Sequence, residues 1–162
     1  MALSLARPFD TTIAAVRIMY GVFPEFPALQ VILPHLGGTV VFLRGRIAMF
    51  FEPPDFVPPS GKRGLAKTVA DQHATGLHSQ FEALWGKFYF DTAGAGGWPK
   101  AAQMTAEVVG TARMLFGSDY PLETYSGATV RELVEMVGHL DLHLEGKRAI
   151  AGETAERLFR LD

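Results

Sequence analysis

Three short apolar runs, each handing over to a polar side chain, constrain what this 162-residue chain can fold into. Gln30–Pro34 (Gln-Val-Ile-Leu-Pro) leads directly into His35. Lys87–Asp91 (Lys-Phe-Tyr-Phe-Asp) ends on its own carboxylate, and Arg113–Gly117 is followed by Ser118 and Asp119. Apolar runs of this length, bounded by turn residues and separated by helical stretches, predict the strands of a parallel sheet joined by right-handed crossovers. The first of them, rich in β-branched residues, reads as a buried strand. In such sheets the ligand site lies beyond the carboxyl ends of the strands, so His35, Asp91 and Asp119 are expected to converge.

The intervening segments supply the helices. Asp10 and Thr11 are good N-caps for a helix carrying Ile13, Val16, Met19 and Tyr20, and Pro24 and Pro27 end it. A second helix is expected over 39–51, with Val40, Leu43, Ile47 and Phe50 on one face. Pro53, Pro54, Pro58, Pro59, Gly61 and Gly64 make 52–64 an irregular surface loop. A weaker helical region follows over 65–85. Pro99 suits the first turn of a helix running to Val109. A further helix covers about 128–137, and a helical tail closes the chain. With no internal repeat, residues 1–162 read as one domain.

Composition narrows the functional classes. Apolar residues make up 48% of the chain and charged residues 20%, enough for a real core. A net charge of −2 gives no basic footprint for nucleic acid. The absence of cysteine removes disulfides, thiolate zinc sites and thiol nucleophiles, and fits a reducing compartment. The opening Met-Ala-Leu-Ser-Leu-Ala lacks the basic start and length of a signal core. The uncharged stretch 27–43 is interrupted by Gln30, Pro34, His35, Gly37 and Gly38, so it reads as strand, loop and helix, not as a membrane span. The expectation is a soluble, cytoplasmic protein with neither nucleic acid nor membrane as partner.

Several side chains could carry chemistry. His35, beside Gly37 and Gly38, can ligate a metal or exchange protons near neutral pH, or merely hydrogen-bond across a strand end. Asp119 can ligate a divalent metal or cap the following loop. Asp91 can join them, satisfy backbone donors, or orient a histidine from behind. Arg44 and Arg46 could fork onto a carboxylate or simply face solvent. The 94–99 segment lacks the third glycine of a dinucleotide loop, because Pro99 stands there, which leaves a plain loop or a phosphate nest before the next helix. His139 and His143 have one-face spacing but no accompanying Glu, and read as a solvent-facing pair. His73 and His78 fit no ligand geometry well.

The ordered set Arg7-Pro-Phe-Asp-Thr-Thr, Gly21-Val-Phe-Pro-Glu-Phe-Pro, Val31-Ile-Leu-Pro-His-Leu-Gly-Gly, Gly45-Arg-Ile, Phe88-Tyr-Phe-Asp-Thr, Leu115-Phe-Gly-Ser-Asp-Tyr-Pro and Thr154-Ala-Glu-Arg-Leu-Phe resembles the C-terminal half of the amidohydrolase-related family typified by aminocarboxymuconate-semialdehyde decarboxylase. The resemblance implies an α/β fold, the C-terminal portion of a metal-dependent (β/α)8 barrel, with the three strands as its sixth to eighth. It implies His35 as the histidine that activates or orients metal-bound water and Asp119 as a metal ligand. It also implies Arg46 as a substrate-carboxylate contact near a dimer interface. Asp91, from its place at a strand end, and Ser118 beside Asp119 are expected to support the ligands from behind. The implied cofactor is a divalent metal, Zn²⁺ by expectation. The implied partners are a small aromatic or unsaturated carboxylate and further copies of the chain.

This sequence departs from the family pattern at Thr39-Val40-Val41, where proline is usual, and at Glu153, where asparagine is usual. The family's His-x-His after the first strand and a histidine after the fifth have no counterpart. The barrel of this type needs roughly 250 residues. The chain is therefore expected to be an N-terminally truncated decarboxylase or hydrolase. The alternative is an inactive half-barrel that self-associates or pairs with a missing half.

Overall fold

In the computed structural model, which describes residues 2–51, 81–94 and 98–161, three strands lie side by side in chain order, all parallel. They are β1 (Val31–Leu33), β2 (Phe88–Asp91) and β3 (Met114–Leu115). The register sets Val31 opposite Phe88, Leu33 opposite Phe90, and Asp91 opposite Leu115. The three strand ends are thereby level to within one residue.

Seven α-helices accompany the sheet among the described residues: α1 (Ala2–Arg17), α2 (Arg44–Phe51), α3 (Phe81–Trp85), α4 (Pro99–Val109), α5 (Gly127–His139), α6 (Leu144–Arg148) and α7 (Thr154–Phe159). α1 runs on into a wide π turn at Ile18–Val22, closed by the Phe23 N–H on the Ile18 carbonyl. α4 has the bounds expected from Pro99 at its first turn. α5 starts one residue earlier than expected, because Ser126 and Thr129 form a reciprocal capping box.

The core lies on one face of the central strand. Phe88 and Phe90 are fully buried, while Tyr89 and Asp91, at the alternate positions, are only partly covered. Phe23 packs against Phe88 with ring centroids 5.0 Å apart, and Trp85 packs against Phe90 at 5.7 Å. Burying a side chain of this size contributes about 1.5–3 kcal/mol. Arg44 closes this cluster: its guanidinium lies 5.3 Å from the Phe81 ring centre and 5.6 Å from that of Trp85, and it pairs with Glu82.

Three expectations need correction. Asp10 and Thr11 do not cap the first helix; they sit inside α1, which continues through Pro8. Tertiary packing overrides the proline here, because α1 is held against the loop after β1. The Thr12 hydroxyl bonds Pro8 O at 2.8 Å and Thr39 Oγ1 at 2.8 Å, and it accepts the Thr39 N–H at 2.9 Å. β1 is not a fully buried strand, since Leu33 is buried but Ile32 is 37% exposed. β3 is shorter than the expected five residues, because the Thr92 side chain takes over the ladder. It donates to Gly117 O at 3.0 Å and accepts the Gly117 N–H at 3.1 Å.

The helix expected over 39–51 begins as turns and becomes α-helical only at Arg44, with Val40 and Ile47 buried and Leu43 partly so. The 52–64 loop and the helical stretch expected over 65–80, including His73 and His78, lie outside the described residues.

The α1 seam gives a sharp test. Gly38 has φ +64°, and a Cβ there would stand 2.2 Å from the Pro8 carbonyl oxygen. Gly38→Ala is therefore expected to cost about 3 kcal/mol in urea unfolding. Gly21→Ala, with nothing within 4 Å, stays within about 1 kcal/mol of wild type. Equal midpoints for the two variants would contradict the packing described.

Candidate metal centre

Each strand end delivers its polar residue to one place. After β1 the chain turns abruptly through a 3-10 segment, His35–Gly37, in which His35 and Leu36 have φ of +54° and +56°. Left-handed backbone at a leucine costs of order 1–3 kcal/mol and persists only where the surroundings hold it. What holds it is Asp91: the His35 N–H donates to Asp91 Oδ1 at 2.8 Å, and the Ala93 N–H donates to the same oxygen at 3.1 Å. Gly94 makes room beside the imidazole, since a Cβ there would lie 2.8 Å from His35 Nδ1. Gly117 makes room for the Asp91 carboxyl in the same way, with Asp91 Cβ only 2.9 Å from the position of an added methyl.

Asp119 follows β3 and also has positive φ, +53°. Its carbonyl accepts the Leu122 N–H at 2.7 Å and the Glu123 N–H at 3.1 Å, one helical turn that returns the chain over itself. Glu123 is thus brought to the side of Asp119. Donor atoms of His35, Asp119 and Glu123 all lie within 4.8 Å of one another. Among the described residues, Asp119 Oδ2 is buried without a hydrogen-bond partner.

An imidazole and two carboxylates crowded together, one oxygen orphaned, suit a divalent cation. Nitrogen and oxygen donors are what Zn²⁺ and Mn²⁺ accept, and a cation relieves the like-charge repulsion between the carboxylates.

The remaining expected residues divide. Asp91 stands behind the cluster, bonded to the His35 backbone. Loss of hydration on burial raises its carboxyl above the ordinary 3.8; the N–H groups of His35 and Ala93 and the His35 imidazole pull it back, and the Asp119 carboxylate adds a smaller upward push. Ser118 supports the turn: its hydroxyl accepts the Tyr120 N–H at 3.3 Å and its carbonyl accepts from Thr124 Oγ1 at 2.6 Å.

Arg46 is exposed on α2, away from the lining of the cleft that reaches His35. Arg44, expected as a solvated or carboxylate-binding arginine, is a packing residue instead. His139 ends α5 and His143 precedes α6, both exposed, so they share no helix. Glu123 was not anticipated. Its i+4 spacing from Asp119 was the available signal, hidden because Pro121 argued against a helical turn.

Similar folds occur among solved structures. A 5-carboxyvanillate decarboxylase, LigW, from Sphingomonas paucimobilis matches with TM-score 0.65 and 21% identity over 96% of this chain and 41% of its own. IDCase from Metarhizium anisopliae matches with TM-score 0.70 and 26% identity over 95% of this chain and 40% of its own. A dihydroxybenzoic acid decarboxylase from a Polaromonas species, solved with manganese and 2-nitroresorcinol, matches with TM-score 0.68 and 21% identity over 95% of this chain and 41% of its own. This chain thus spans about two fifths of the length of each. The fold is α/β, a portion of a (β/α)8 barrel, as the strand pattern and the resemblance led one to expect. Residues 4–161 match the amidohydrolase family model, and the chain belongs to that family.

Proposed function

We propose that this chain carries part of the active site of a metal-dependent decarboxylase acting on a small aromatic carboxylate. The observation that carries the reading is the meeting of His35, Asp119 and Glu123 at the ends of parallel strands, beside a cleft of about 220 Å³. The decarboxylases it resembles support the reaction class, and manganese in one of them supports a divalent cation.

Asp119 would hold the cation, with His35 and Glu123 completing the donors this chain offers. When bound, such a cation supplies positive charge that stabilises negative charge building on the substrate. His35 reaches both the donor cluster and the cleft, and when it is not ligating the cation its imidazole would hand a proton to the ring carbon that loses carbon dioxide. Asp91 keeps the His35 backbone in its strained turn. Arg46, exposed on α2, would reach a substrate carboxylate only across an interface with another copy of the chain.

Calorimetric titration of the chain with Mn²⁺ and with Zn²⁺ tests the donor set. One ion per chain is expected, with His35→Ala, Asp119→Asn and Glu123→Gln each weakening binding at least tenfold, about 1.4 kcal/mol. Wild-type affinity in Asp119→Asn would refute the assignment. In the metal-loaded protein, release of carbon dioxide from 2,6-dihydroxybenzoate should be abolished by Asp119→Asn and His35→Ala; turnover that survives both excludes this site as its source.

Asp91 yields a second expectation. Asp91→Ala strands two N–H donors and should cost about 1–3 kcal/mol in urea unfolding, whereas Asp91→Asn keeps an acceptor and should cost less. The folded state holds the Asp91 proton more tightly than the unfolded chain does. Wild-type stability contributed by this group is therefore present below 3.8 and lost as pH rises through the raised value. The stability of Asp91→Asn relative to wild type should accordingly climb over that window; a flat difference would contradict the buried carboxyl.

A further inference from the structure

The cleft that opens onto His35 and Glu123 runs between α1 and α4, and Arg7 lines it too. Among the described residues Arg7 has neither ion pair nor hydrogen bond, whereas Arg44 is committed to Glu82 and two aromatic rings. Its place is fixed. Pro8, the next residue, presses its carbonyl against Gly38, and the Thr12–Thr39 hydrogen bonds tie the following turn of α1 to the same loop that carries His35. The walls between are apolar, formed by Val41, Ala101 and Met104.

We propose that Arg7 is a specificity-determining residue that binds an acidic group of the substrate, so that the preferred ligand is a single aromatic ring bearing two acidic groups. This rests on the reading above, in which the His35–Asp119–Glu123 cluster holds a cation that takes the other acidic group. The physical case has three parts. A guanidinium forks onto a carboxylate with two parallel N–H donors, and a free one beside an apolar slot is arranged for that contact. An apolar slot of about 220 Å³ admits one ring and little more. The Glu123 carboxylate in the same lining repels an acid unless a cation covers it, so binding the second group depends on Arg7 at one position and the cation at the other.

Titration calorimetry of the Mn²⁺-loaded chain with isophthalate and with benzoate tests this. Isophthalate should bind at least tenfold more tightly than benzoate. Arg7→Ala and Arg7→Gln should erase that preference while leaving benzoate and Mn²⁺ affinities unchanged, and Arg7→Lys should restore only part of it. Equal affinities of the wild type for the two acids, or a preference that survives in Arg7→Ala, would overturn the proposal. Failure of Mn²⁺ to bind at all would instead refute the cation reading. Arg7 is then judged on metal-free Glu123→Gln, in which the repelling carboxylate is gone: isophthalate should shift the Arg7 Nε–H resonance, and no shift would overturn the proposal.

Discussion

The hydrogen bond from the His35 N–H to the Asp91 carboxylate joins the end of the first strand to the end of the central one, and the candidate centre depends on it. The next residue, Thr92, bonds in the opposite direction to both backbone groups of Gly117. Two consecutive side chains at the tip of β2 therefore hold the tips of both neighbours. Gly117 can approach only because it lacks a Cβ. Asp119 lies two residues beyond that anchor and His35 two residues beyond β1, so the same pair of side chains sets the distance between them. The aromatic core on the other face of β2 supplies the rigidity that keeps this tip in place.

Such an arrangement is not the most stable one the chain could adopt locally. Non-glycine residues at His35, Leu36 and Asp119 take left-handed backbone, a carboxyl is buried at Asp91, and a carboxylate oxygen is orphaned at Asp119. Each is individually unfavourable, and all fall within a few residues of the three strand ends. Strain concentrated at one end of a sheet marks where selection favours geometry over stability. A bound cation would offset part of that cost by satisfying Asp119 Oδ2 and the charge of Glu123.

Much of this was legible in the sequence for identifiable reasons. The strands showed because short apolar runs bounded by Pro and Gly have few other uses, and α4 showed because Pro99 fixes its own first turn. Convergence of His35 and Asp119 followed from the rule that parallel strands point their carboxyl ends the same way. What sequence patterns missed was decided by tertiary contact. Asp10 and Thr11 have the chemistry of caps, but packing of Pro8 on Gly38 extends α1 past them. β3 was overestimated because a threonine side chain can stand in for a strand backbone. Arg44 looked solvated, yet the rings of Phe81 and Trp85, far off in sequence, take up its guanidinium. Glu123 became visible only once the turn at Asp119 was seen to close despite Pro121.

Two separated segments of this chain, the loop after β1 and the turn after β3, build one cation site. A crystal structure of the Mn²⁺-loaded protein, with an anomalous difference map at the manganese edge, tests it most directly. A single strong peak in bonding contact with His35, Asp119 and Glu123 is expected. A peak elsewhere on the protein, or none there at saturating Mn²⁺, would contradict it.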